Sequence, residues 1–292
     1  LGVGGDGGNS LTIYGPTATT LRISGNNARQ VFNIAAGANV TITNLVVEQG
    51  STSYGGGLLN LGTLTLDSCT FISNTASTRG GAISNGGTLV VLNTTITRNT
   101  VSSENGGGIS NQGTITIANS TIKANWAGNN GGGINNQSGS LVLDNVTMSG
   151  NTAPNGNGMY VGDVAGTTVN QIGPVTIDGI YQGGGTVNGG SAAFDLTGNF
   201  QLYGGTFNSS MGVLRVSGYI TQSGAGTFNS NGGTIVLNGT SQQGFGGGAL
   251  TFADLVVTNT VGVVIPTTGT PVVTGTFTNT GRLKQAMDVG TR

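Results

Sequence analysis

Apolar and polar residues alternate in short stretches along the chain. Leu64 and Leu66 are followed by Cys69 and Phe71, and two units later Ile115 and Ile117 are followed by Ser120 and Ile122. A period of two predicts strands, with these residues facing inward and their neighbours outward. Leu58, Ile83, Ile109, Ile134 and Met159 form a column at a spacing of about 25 or 26 residues. Each follows small residues: Gly55-Gly56-Gly57, Gly80-Gly81-Ala82, Gly106-Gly107-Gly108, Gly131-Gly132-Gly133 and the degenerate Gly156-Asn157-Gly158. Two positions further on stand Asn60, Asn85, Asn111 and Asn136, and a second amide column runs Asn74, Asn99, Asn125 and Asn151. A unit this short, with three strands, cannot enclose a core, whereas stacked copies bury a continuous one. The pattern predicts an all-β fold, a single-stranded parallel β-helix, or β-solenoid. The expected hand is right, that of nearly all parallel crossovers.

In such a stack, equivalent residues of successive coils lie about 4.8 Å apart. Asn in register can then exchange amide hydrogen bonds along the stack at a corner, and Asn also tolerates left-handed backbone. Gly supplies tight corners and close backbone approach. Beyond residue 165 the repeat shortens: Gly185-Thr186-Val187-Asn188, Gly205-Thr206-Phe207-Asn208 and Gly226-Thr227-Phe228-Asn229 recur, and Gly275-Thr276-Phe277 echoes them. Phe194/Leu196, Leu214/Val216 and Ile235/Leu237 follow at constant distance. The expected organisation is one continuous solenoid: irregular N-terminal coils over 1–54, long coils over 55–162, and coils of about 20 residues over 163–292, narrowing near 163–175. At roughly 24 residues per coil this gives about 12 coils and a rod on the order of 58 Å long. Within the N-terminal part, Val40, Ile42, Leu45 and Val47 alternate as a first coil would.

Composition narrows the function classes. Of 292 residues 57 are Gly, without the strict triplet period of collagen. Nine Lys and Arg stand against ten Asp and Glu, which lacks the basic footprint of a nucleic-acid binder. Cys69 is the sole thiol, so no internal disulfide or multi-cysteine metal site forms, and its place in an apolar run reads as a small buried hydrophobe. No apolar run reaches the length of about 20 residues of a membrane helix. The start at Leu1, without a basic leader segment, is read as a processed or trimmed end.

Gly80-Gly81-Ala82-Ile83 and Phe71-Ile72-Ser73-Asn74 resemble the paired GGAI and FxxN signatures of the polymorphic outer-membrane protein repeat, found in chlamydial and other bacterial surface β-helices. The resemblance covers roughly residues 40–161. The other coils keep the small-aliphatic half and the Asn, but carry Ile96, Ile122 and Met148 where Phe71 stands. The shorter coils resemble those of autotransporter-like surface proteins more loosely. The resemblance implies an extracellular or cell-surface, secreted protein with a structural or adhesive role, and it supplies no catalytic residue. The membrane barrel that extends some members is not visible in this chain.

Candidate chemistry is sparse. The chain has no His, which excludes Ser-His-Asp and Cys-His catalysis and His-ligated zinc. Glycoside hydrolysis usually pairs two carboxyls about 5–9.5 Å apart. Asp67 and Asp144 share a column with Leu92 and Ala118 between them, about 14 Å apart by strand spacing, and read as solvated turn residues; Asp178 and Asp195 lie on adjacent short coils where an approach is open to them, but read first as structural turn positions. A calcium-dependent lyase needs clustered acids and a basic residue, and the acids here are scattered from Asp6 to Asp288. The Gly tripeptides lack the Lys-Ser or Lys-Thr of a phosphate loop. Asn93-Thr94-Thr95 and Asn119-Ser120-Thr121 are glycosylation sequons only in a suitable secretory context. Trp126 and Tyr160 are a candidate sugar-stacking pair, although single aromatics near corners read first as packing against the solenoid wall. Thr70, Thr95, Thr121 and Thr147 form an outward ladder of the kind an ice-binding face uses, although the neighbouring column Thr65, Val90, Thr116 and Val142 is irregular.

The resulting expectation is a non-catalytic structural or adhesive surface solenoid without cofactors, a candidate subunit of a surface layer or filament. The alternative is a polysaccharide-processing or carbohydrate-binding β-helix. Solenoid ends need covering, and neither terminal stretch, Leu1 to Gly8 or Gly281 to Arg292, has a cap pattern. Head-to-tail self-association, or packing against a further part of a longer chain, is therefore expected, with surface glycans as further candidate partners and no nucleic acid or membrane span.

Overall fold

The computed structural model describes residues 2–3, 10–16, 21–248, 250–267 and 269–285. Among these every regular element is a strand, every strand pairing is parallel, and the strands stack into a β-solenoid of about 11 turns. The first wall is a 13-stranded sheet running from Gly2–Val3 through Phe32–Ile34, Leu58–Asn60 and Ile83–Asn85 to Leu283–Gln285. Leu58, Ile83, Ile109, Ile134 and Met159 are direct partners in successive rungs and fully buried. The wall continues inward through Ile180, Phe200 and Ile220.

The second and third walls are two bands of one folded sheet. Strand Thr114–Lys123 passes through both, and its burial alternates until two adjacent residues, Ala118 and Asn119, both turn outward. The phase of the pleat slips there, at a residue with φ +49°. Asn44, Ser68, Asn93 and Asn145 occupy the same bend with φ between +49° and +56°. Ile115 and Ile117 enter the core before the bend and Ile122 after it, all fully buried. Each such side chain stabilises the fold by about 1.5–3 kcal/mol relative to exposure.

Ser51–Tyr54, Thr75–Arg79, Thr100–Val101 and Trp126–Ala127 make a short fourth side. It continues only as single bridges, Trp126 to Thr152 and Asn130 to Asn155. Long-coil partners are 25 or 26 residues apart, as in Asn60–Asn85 and Asn85–Asn111, and later ones about 20, as in Asn188–Asn208. The lost residues are those of the fourth side, so the rod steps inward after Thr152. The narrow coils fill their interior with rings: Phe200 and Phe207 lie 4.4 Å apart by centroid, with Phe194, Phe228, Phe245 and Phe252 in the same chain of contacts.

The N-terminal stretch is more regular than its sequence. Ser10–Tyr14 and Leu21–Ser24 pair residue for residue with the strands that begin at Asn39 and Leu45, so a coil precedes the alternation at Val40 and Ile42. The terminal stretches on which the capping expectation rests lie partly outside the described residues, at 1, 4–8 and 286–292.

Candidate functional site

The two Asn columns are buried amide ladders. Asn60 Nδ2 donates to Asn85 Oδ1, Asn85 Nδ2 to Asn111 Oδ1 and Asn111 Nδ2 to Asn136 Oδ1, each at 2.8 Å. Asn136 Nδ2 ends the run on the carbonyl of Thr168 at 3.1 Å. In the second ladder both the side-chain and main-chain nitrogens of Asn74, Asn99 and Asn125 donate to the Oδ1 of the next Asn, at 2.9–3.1 Å. None of these eight Asn has positive φ, which corrects the expectation that left-handed tolerance selects them. Burial and the need to pair two amide groups per rung select them. In the second ladder the left-handed position is the preceding residue, Ser73, Arg98, Ala124 and Gly150, at φ +53° to +63°.

Asp178 closes the second ladder. Asn151 donates its backbone N–H to Asp178 Oδ2 at 2.6 Å, and its Nδ2 stands 3.3 Å from both carboxylate oxygens. Asp195 instead pairs with Arg215 at 3.0 Å on the outer face of the third wall. The register opposes Asp195 to Thr176 and Arg215, not to Asp178, and each acid has its own structural partner. Burial pushes the Asp178 carboxyl above the usual carboxylate range, partly offset by the Asn151 hydrogen bonds. Asp67 and Asp144 stand three rungs apart, with Leu92 and Ala118 between them.

Asp178 also lines a recess of about 240 Å³ at the step where the fourth side ends, with Pro154, Gly156, Asn157, Gly179, Ile180, Asn199 and Gln201. Asn157 Oδ1 accepts from the Ala153 N–H at 3.2 Å, and Asn199 Oδ1 from the Tyr219 N–H at 3.0 Å. Backbone donors therefore fix both amide orientations and leave each Nδ2 turned away from these bonds. Tyr160, Tyr181 and Gln201 are consecutive outward residues of the first wall. Tyr160 stacks on Tyr181 at 5.4 Å and Tyr181 on Tyr203 at 4.9 Å. Tyr160 thus finds its aromatic partner along its own wall, while Trp126, an exposed residue, stands on the fourth side. Burial raises the Tyr160 and Tyr181 hydroxyls above their usual range.

The recess escapes a reading by columns because Asn157, Asn199 and Gln201 occupy different positions of their coils. The spacing of Tyr160 to Tyr181, equal to that of Met159 to Ile180, is the one signal in the sequence that marks it.

The outer faces carry their own ladders. Thr70, Thr95, Thr121 and Thr147 pair in sequence and continue to Thr176. On the second wall an amide ladder links Asn229 to Asn208, Asn208 to Asn188 and Asn188 to Asn170 at 2.7–2.8 Å. Asn93 and Asn119 of the sequons are exposed at the bend. Cys69 is buried, with Sγ directed at the carbonyls of Asp67 and Ile42 at 3.3 and 3.4 Å, and burial pushes its thiol up. Among the described residues no three His, Cys, Asp or Glu cluster as a metal site would require, and no helix is long and apolar enough to cross a membrane. No protein-family model, curated protein or solved structure matches the chain.

Proposed function

We propose that this chain is a non-catalytic structural or adhesive solenoid of a cell surface or extracellular layer. The observation that carries the reading is the commitment of its polar side chains to the stack itself. Asn ladders run inside and outside the rod, and Asp178 and Asp195 of the narrow coils bond to Asn151 and Arg215. A general acid needs a carboxyl free to exchange a proton with a reacting atom, and bonds that hold a rung together compete with that role. The resemblance of the long coils to the polymorphic outer-membrane protein repeat supports the same location and role.

Two measurements test the proposal. Antibody to the chain labels intact, unpermeabilised cells of its source, and the purified chain releases no reducing or unsaturated ends from pectins, alginates or neutral glycans. Labelling only after permeabilisation overturns the location. Reproducible turnover lost on Asp178→Ala or Asp195→Ala overturns the non-catalytic role.

A further inference from the structure

We propose that the recess at the step of the rod binds a neutral, hydroxyl-rich ring, such as the terminal residue of an uncharged glycan. This names a ligand class for the adhesive role above and rests on that reading. The chemistry of the recess is nearly all hydrogen bonding. Asn157 and Asn199 present Nδ2 donors whose orientation is already set by main-chain bonds to their Oδ1 atoms. Gln201 adds an outward, partly exposed amide on the same rim, beside Tyr181 in the adjacent rung. Asp178 supplies acceptor capacity, since a carboxylate offers about four lone-pair sites, more than the backbone and side-chain N–H groups of Asn151 occupy.

A sugar hydroxyl both donates and accepts, so it can bridge a carboxylate and an amide N–H at once. Alternative ligand classes fit less well. No Lys or Arg lines the recess, so an anion would meet one carboxylate and no counter-charge. Apolar ligands would find only Pro154 and the buried Ile180. The tyrosines have their faces on one another, so Tyr181 presents no free stack of faces to enclose an organic cation. The volume lies below the 300–1,000 Å³ of drug-sized sites and suits a single ring. Its dozen or so heavy atoms place the affinity in the millimolar range.

The test is a titration of the ¹⁵N-labelled full chain with uncharged oligosaccharides of gluco, galacto, manno and N-acetylglucosamine type. The expected result is a saturable shift of the side-chain amide signals of Asn157, Asn199 and Gln201 with at least one of them. Gln201→Ala weakens that binding at least fivefold without changing the melting temperature, because Gln201 lies outside the core. No saturable shift with any neutral sugar, binding unaltered in Gln201→Ala, or stronger binding of a quaternary ammonium or a uronic acid overturns the proposal. Release of sugar from the ligand during the titration overturns the non-catalytic reading while leaving the binding site standing; absence of binding on a chain that still labels the cell surface does the reverse.

Discussion

Asn151 gives both its backbone and side-chain N–H groups to the carboxylate of Asp178, one rung further along the rod. Each Asn of that ladder sends its backbone N–H and one Nδ2 bond to the next rung, its other Nδ2 contacts going to carbonyls of its own or the preceding coil, so a negative charge stands at the donor end of the inter-rung chain. The placement is favourable for the same reason that anions favour helix N-termini, yet burial still raises the carboxyl above its usual range. The ladder thus ends at the step in the cross-section, where the next coil has no Asn to offer.

Replacing Asp178 by Asn keeps an Oδ1 acceptor for Asn151 and removes the buried charge. A carboxyl whose native pKa is raised contributes stability that is full below its unfolded pKa and declines as pH rises through the native value. Asp178→Asn is therefore expected to raise the melting temperature at pH 7 by about 1–3 °C, with the gain vanishing in acid below the usual carboxylate range. Thermal scans of both chains across pH 3–8 check the sign. Asp178→Ala, which leaves the Asn151 donors unpaired, costs about 1–3 kcal/mol at either pH.

Asn99 sits mid-ladder, fully buried, donating to the carbonyls of Phe71 and Thr97 as well as to Asn125 and accepting from Asn74. Asn99→Ala strands several buried groups at once and is expected to cost about 3 kcal/mol or more. Thr88→Ala, on an exposed outward position, stays within about 0.5 kcal/mol. Urea unfolding of the two variants gives the comparison.

A Cβ at Gly107 would stand 2.5 Å from the carbonyl oxygens of both Trp126 and Gly132, which are fixed by the stack. At Gly86 the nearest atom is the flexible tip of Leu61, at 3.2 Å. Gly107→Ala is expected to destabilise by about 3 kcal/mol or more, the upper range of overpacking, and Gly86→Ala by less than about 1 kcal/mol. Melting temperatures or protease sensitivity rank the pair.

Phe207 contacts Phe194, Phe200 and Phe228 in the narrow coils. Phe207→Ala is expected to cost about 3–5 kcal/mol. Because each coil of a solenoid contacts only its neighbours, hydrogen exchange should rise around residues 186–237 and remain protected around Leu58–Asn60 and Ile83–Asn85. A uniform loss of protection along the rod would show a single cooperative unit instead.

The Cys69 thiol is buried and shifted up by that burial. A thiol reagent at pH 8 is expected to leave it unmodified in the native chain and to react fully in denaturant, since the thiolate is the nucleophile. Intact mass measured before and after unfolding reads the outcome directly.

The sequence by itself determined the solenoid and its register over the long coils. Leu58 to Met159, and the two Asn columns, repeat because each inward or amide-bearing position faces the same position one rung away, and strand spacing turns a period in sequence into a contact in space. It also placed the short coils through Thr186-Val187-Asn188 and its successors. Tertiary structure alone decided how the columns end. Asp178 reads as a turn residue or a neighbour of Asp195 until the lost fourth side brings it under Asn151, and Asp195 meets Arg215 because coil length, not residue type, sets which rung lies next. Ser73, Arg98 and Ala124 gave no hint of a left-handed backbone, since that conformation is imposed by the corner between two walls and tolerated at a cost the stack repays. The recess exists only where two coil sizes meet, and no column runs through a place where the period itself changes.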